Sequence, residues 1–197
     1  MTAALYLAIP LMVVLVILQS AVLPNFTIFG IVPQLMFVAT ISWALLRGLR
    51  EGLVWAFVAG LLTDLFSAGP IGVTSLAMMA TVAAVVFLQR SFPESRLIMP
   101  IVLAALATMI FWSIYLLILR LMMPIILNSN DFLGALELSE NPRFRGLISI
   151  ISSAYSLNRN TLTLVINMAL IHSILIVPFY WGFYAVEKSI SPRRVEI

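Results

Sequence analysis

Apolar residues run almost without interruption along this chain, and the interruptions are short. Apolar stretches of roughly 17–25 residues can cross a bilayer as helices. Six stretches stand out, at about 3–23, 31–46, 52–67, 72–89, 97–123 and 161–186. The second and third are short, so they should stand nearly upright or extend into their turns. Each early break is punctuated by turn-forming residues. Pro24-Asn25 and Pro33 bracket the first, and Arg47-Gly48-Leu49-Arg50-Glu51-Gly52 forms the second. Gly69-Pro70-Ile71-Gly72 forms the third, and Ser91-Phe92-Pro93-Glu94 the fourth. One long connection, about 124–160, precedes the last stretch and holds Asp131, Glu137, Glu140, Arg143, Arg145 and Arg159. Within it, residues 131–138 suit a short amphipathic turn of helix. The apolar, serine-containing run 144–157 suits the outer membrane interface.

Composition makes this a membrane protein rather than a soluble helical bundle. The chain of 197 residues is 62% hydrophobic and 10% charged, with mean hydropathy +1.12. A soluble domain holds roughly 45–50% apolar and about 25% charged residues. Little length remains for a soluble domain, so residues 1–197 read as one all-α membrane domain, a bundle of six transmembrane helices. The first apolar run, Ala3 to Leu23, has no basic residue before it. It exceeds the h-region of a signal peptide, about 7–15 residues, and reads as a retained helix. Cysteine is absent and histidine occurs once. That excludes disulfides, thiolate chemistry and a histidine-rich metal site within one chain.

The basic residues are scattered at helix ends, which argues against a nucleic-acid surface. Their placement reports topology instead. Arg47 and Arg50 follow the second stretch, Arg90 and Arg96 the fourth, and Lys188, Arg193 and Arg194 the sixth. The breaks after the first and third carry no Lys or Arg. With six spans, every basic turn lies on the same side as both termini, and the positive-inside rule makes that side cytoplasmic.

The third helix places Gly52, Ala56, Gly60 and Asp64 at every fourth position. Small residues at this spacing let another backbone approach closely. Asp64 continues the stripe and should face the bundle, because a carboxylate against lipid is expensive. Two groups suit it as partners. One is the set of free amides opening the fourth helix near Val73, Thr74 and Ser75; the other is Arg120, near the outer end of the fifth. Asp64 pins the turn through Pro70 and Gly72, or acts directly in function. Arg120 alternatively snorkels to the interface. His172 and Asn167 lie inside the sixth helix, where a histidine either hydrogen-bonds between helices or relays protons. Ala4 and Ala8, Ala80 and Ala84, and Ala104 and Thr108 repeat the small-residue spacing elsewhere. No phosphate-binding loop, zinc signature or nucleophile elbow occurs, so the chain does not read as an enzyme.

The run Pro33-Gln34-Leu35-Met36, the turn from Leu46 to Gly52, and above all the segment from Gly60 to Gly72 resemble the rod shape-determining protein MreD family. Members carry Gly, two hydrophobic residues, any residue, Asp, two hydrophobic residues, Ser, two further residues, Pro, a hydrophobic residue and Gly. Gly60, Asp64, Ser67, Pro70 and Gly72 occupy the fixed positions here. The polar residue that usually follows is Thr74, and the resemblance spans about 31–125. It implies a non-enzymatic, cofactor-free, multi-pass subunit of the bacterial cytoplasmic (inner) membrane, serving the cell-elongation machinery. It further implies direct binding to MreC, and through MreC a link to the glycosyltransferase RodA, its paired penicillin-binding transpeptidase and MreB filaments. The family is similar in fold to the substrate-binding S components of energy-coupling-factor vitamin transporters. That likeness keeps a second function open, because Ala4 and Ala8 resemble the motif by which such components dock. Asp64, Trp112, Tyr115 and Arg120 would then line an outer cavity.

Overall fold

The computed structural model describes residues 2–25, 31–67, 70–91, 98–127 and 159–190, with side chains except at 2–9, 24, 123–127, 159–161 and 189–190. Among the described residues the regular elements are all helical. They are α1 (Thr2–Ile17), α2 (Leu35–Arg47), α3 (Leu49–Phe66), α4 (Val73–Gln89), α5 (Ile98–Leu127) and α6 (Arg159–Ile190). Most of the long connection, including 131–138 and 144–157, lies outside the described residues.

α1 does not run on as regular helix to about residue 23. It widens into a π turn at Leu18–Val22 and closes with a 3-10 turn at Leu23–Asn25. Ser20 marks the change, since its hydroxyl donates back to the carbonyls of Val16 (2.8 Å) and Ile17 (3.3 Å). Such back-bonding disturbs the regular ladder.

α2 begins at Leu35 rather than near 31. Pro33 explains the delay, because the residue before a proline is pushed out of the helical region. Its 13 residues span about 20 Å, well under a hydrocarbon core of about 30 Å. Every residue from Leu35 to Leu45 is buried. α2 is thus the central post of the bundle, touching each of the other five helices, most extensively α3 and α6. Around it α3 packs on α4, α4 on α5, and α5 on α6, while α1 leans on α3 and α2.

α5 and α6 are the long elements, at 30 and 32 residues. Their stretches Ile98–Met122 and Leu162–Lys188 are long and apolar enough to cross a membrane. Both helices outrun the apolar runs that reveal them in the sequence: α6 continues through the polar pairs Arg159-Asn160 and Glu187-Lys188, where no Gly or Pro stops it, and α5 continues past Pro124 to Leu127. Pro100 sits in the first turn of α5, where a missing N–H removes no intrahelical bond.

The polarity is arranged for lipid. Phe87, Ile174 and Ile71 point outward at 70% exposure or more. Thr40, Ser42, Thr81 and Thr108 are buried, and each donates to the carbonyl four residues back at 2.7–2.8 Å. Buried hydroxyls need such partners where no water competes.

Candidate functional site

The stripe on α3 is the tightest seam of the bundle. Gly52, Ala56, Gly60 and Asp64 are all buried. A Cβ on Gly52 would stand 2.6 Å from the Ala44 Cβ of α2 and 3.0 Å from the Val82 side chain of α4. At Gly60 a Cβ would lie 2.6 Å from the backbone nitrogen of Ser75 and closer still to its Cα. The small residues therefore let α3 touch the α4 backbone directly. Ser75 closes the seam by donating its hydroxyl to the Phe57 carbonyl at 3.3 Å.

Asp64 sits one turn further along, 2% exposed. Its Oδ2 accepts the Gly72 N–H at 2.7 Å. Gly72 is the N-cap of α4 and has φ +96°, a left-handed conformation that a side chain strains. The carboxylate thereby satisfies an amide that the helix leaves open and lies at the positive end of its dipole. Pro70 lies in the same turn, and its carbonyl receives the Val73 N–H at 3.5 Å. Arg120 is exposed and makes no ion pair with Asp64. Of the two partners the sequence leaves open, the amide is the one in contact. The donor is Gly72, one residue before the expected trio.

His172 lies apart from this unit. It is 1% exposed and bridges three elements. The Gln34 N–H, just before α2, donates to His172 Nε2 at 3.2 Å, and Nδ1 lies 3.0 Å from Thr108 Oγ1 on α5. A backbone N–H can only donate, so Nε2 must carry its lone pair and Nδ1 the proton. Thr108 then accepts from the ring and donates to Ala104. Both ring nitrogens are occupied, and the Nε2 partner has no acceptor to pass a proton to. This geometry favours an interhelical tie over a relay. Gln19, on the π turn of α1, accepts the Met36 N–H at 3.1 Å. Two polar side chains thus cap a helix that starts inside the bundle. His172→Phe should keep the volume but strand the Gln34 N–H, lowering stability by about 1–3 kcal/mol. Thermal unfolding in detergent checks it; an unchanged midpoint would remove the tie.

The opposite end of α2 carries a third cluster. Arg47 bonds Glu51 at 3.2 Å and Glu187 at 3.1 Å, joining the α2–α3 turn to α6. Beneath it Trp43 stacks on Trp55, centroids 4.5 Å apart, and the edge of Phe183 meets both rings. Gln89 of α4 donates to the Leu45 carbonyl at 3.1 Å.

Gln19, Thr108 as a ring partner, Glu187 and the aromatic stack are not evident from the sequence. Only Arg47–Glu51, an i, i+4 pair, carries a local signal. The α4 pair Ala80 and Ala84 lies off the buried face, whereas Ala104 and Thr108 are buried. Ala4 and Ala8 belong to α1, but their side chains fall outside the described set. Asn167 is half-buried on α6. Among the described residues no group of His, Asp and Glu could hold a metal.

No curated protein and no solved structure matches the chain. The family model for the rod shape-determining protein MreD does match, over residues 1–138. That stretch contains the α3 seam, the Asp64–Gly72 contact and the Arg47–Glu51 pair, and on it the chain belongs to the MreD family.

Proposed function

We propose that this protein is a six-span subunit of the bacterial cytoplasmic membrane, with both termini inside. In this reading it binds MreC and scaffolds the peptidoglycan-synthesising elongation machinery without catalysis of its own. The family match carries the role. The charge pattern supports the topology, since the α2–α3 and α4–α5 breaks hold Arg47, Arg50 and Arg90 while the α3–α4 break holds no base. The enclosure of α2 supports six spans despite its length, because a helix surrounded by five others need not match the lipid by itself. The geometry also suits a scaffold. Asp64 and His172 are each engaged in structural contacts.

Affinity purification from native membranes tests the partner. MreC should be recovered with the chain. Recovery of a coupling ATPase module in its place would favour the vitamin-transporter alternative and overturn the proposal. Single cysteines test the topology on a chain that has no native cysteine. Leu49→Cys and Ser91→Cys should react with an impermeant maleimide only from the cytoplasmic side, and Ala68→Cys only from outside. Leu49 is preferable to Gly48, whose φ of +82° a cysteine would strain. Labelling of Leu49→Cys from outside would invert the topology.

A further inference from the structure

α6 turns one face to the bundle, and the opposite face carries a polar group without a partner. At about 100° per residue, His172, Ile176 and Phe183 share the inward face, and all three are buried. Asn167, Leu170, Ile174, Val177, Trp181 and Tyr184 fall on the opposite side, spaced alternately by three and four residues. Leu170 and Ile174 are 60% and 73% exposed, and Trp181 and Tyr184 also point outward. Apolar residues at this spacing form the seam of a helix pair. The whole line lies within Leu162–Lys188, the stretch able to cross a membrane. Asn167 is its one polar member, half-buried, and among the described residues its carboxamide makes no hydrogen bond. Ser113 and Ser173, also on α5 and α6, return their hydroxyls to the carbonyls four residues back at 2.8 and 2.7 Å. Asn167 has no such return, and an unpaired carboxamide is costly away from water. It needs a donor and an acceptor together. Another carboxamide supplies both, and across a two-fold axis Asn167 meets itself. Copies inserted with one topology are parallel, and a single Asn in an apolar seam sets the register of a parallel pair.

We propose that two copies of this protein pair in the membrane through the outward face of α6. Asn167 of each copy donates to and accepts from Asn167 of the other, and Leu170, Ile174, Val177, Trp181 and Tyr184 pack along the seam. This rests on the chain residing in a bilayer, but not on MreC binding or on which side is cytoplasmic.

The test is resonance energy transfer between donor- and acceptor-labelled copies of the full chain in phosphatidylcholine vesicles, labelled at Leu49→Cys. Transfer should rise with the protein-to-lipid ratio and fall when unlabelled chain is added. Asn167→Leu should weaken the pairing about tenfold, within the range measured for interhelical hydrogen bonds of polar side chains in membranes. Asn167→Gln keeps a carboxamide and should retain most of it. Neither variant should move the thermal midpoint of the monomer in detergent, which a role inside the bundle would lower. Ile174→Cys, oxidised with copper phenanthroline, should cross-link two copies. Phe87→Cys, equally outward but on α4, should not. Transfer no greater than random encounter, undiminished pairing in Asn167→Leu, or cross-linking at Phe87→Cys but not at Ile174→Cys would overturn the pairing. Loss of transfer on adding MreC would give the face to that partner and overturn the second copy as its occupant. Failure to recover MreC from native membranes would instead overturn the proposed function and leave the pairing standing.

Discussion

Gly60→Leu should prevent assembly of a stable bundle, whereas Gly182→Leu should leave it intact. The two glycines are chemically identical and both lie within helices, so the contrast isolates packing. A Cβ at Gly60 meets backbone atoms of Ser75, which cannot rotate away as a side-chain tip could. α3 and α4 would have to separate, breaking the Ser75–Phe57 hydrogen bond and loosening the neighbouring Asp64–Gly72 contact. Overpacking a well-filled interior typically costs about 1–3 kcal/mol, occasionally more, and a backbone clash belongs at the upper end. Gly182 faces outward, and a Cβ added there would meet no atom within 4 Å. Leucine there adds helix propensity of up to about 1 kcal/mol over glycine. The measurement is yield and thermal midpoint in detergent for both variants. Equal midpoints would mean that the small-residue stripe is not a packing seam.

That seam is legible in the sequence because its cause is local. Gly52, Ala56, Gly60 and Asp64 recur at one helical period, and period alone puts them on one face. The turn is legible for the same reason, since Gly-Pro-x-Gly restricts its own backbone. The His172 tie is not legible. Its partners, Gln34 and Thr108, lie 138 and 64 residues away, and the spacing of polar residues along α6 says nothing about which elements it meets. α2 shows a third case. Its apolar stretch opens at 31, but with Pro33 and Gln34 in it the helix starts only at Leu35. Hydropathy describes where lipid is tolerated, and backbone sterics decide where a helix begins. The aromatic stack of Trp43, Trp55 and Phe183 is hidden by composition, because in so apolar a chain no aromatic residue stands out from its neighbours.

Three of the described polar side chains tie the bundle at separate places. Asp64 holds α3 to the cap of α4, His172 holds α6 to α5 and to the start of α2, and Arg47 holds the α2–α3 turn to α6. Between helices in lipid, hydrophobicity supplies little preference for one packing over another. Hydrogen bonds and close backbone contacts therefore select the arrangement. The proposed scaffold role requires that selectivity, since a partner would have to meet a fixed outer surface.

Asp64→Leu should be among the most damaging single substitutions in the chain, with Asp64→Asn clearly milder. The carboxylate is buried and accepts the Gly72 N–H at 2.7 Å. Leucine removes the acceptor and leaves that amide facing an apolar side chain. Losing a hydrogen bond to a charged group costs about 1.5–3 kcal/mol, and stranding a buried donor costs about 1–3 kcal/mol. These describe the same event from two sides, so a loss of about 2–3 kcal/mol is expected. Asparagine keeps an oxygen for the amide and forfeits only the charge, including its favourable position at the α4 N-terminus, worth about 0.3–1 kcal/mol. Arg120 provides the control. It is exposed and does not reach the carboxylate, so Arg120→Gln should be near neutral. The double variant Asp64→Asn with Arg120→Gln should then equal the sum of the single effects within about 0.5 kcal/mol. Rescue of Asp64→Asn by Arg120→Gln would instead show an ion pair that orphans the arginine when the acid is neutralised. Thermal stability and MreC co-purification should be measured together. If Asp64→Leu matches wild type in both, the acid neither pins the turn nor shapes the partner surface, and the signature from Gly60 to Gly72 has another cause.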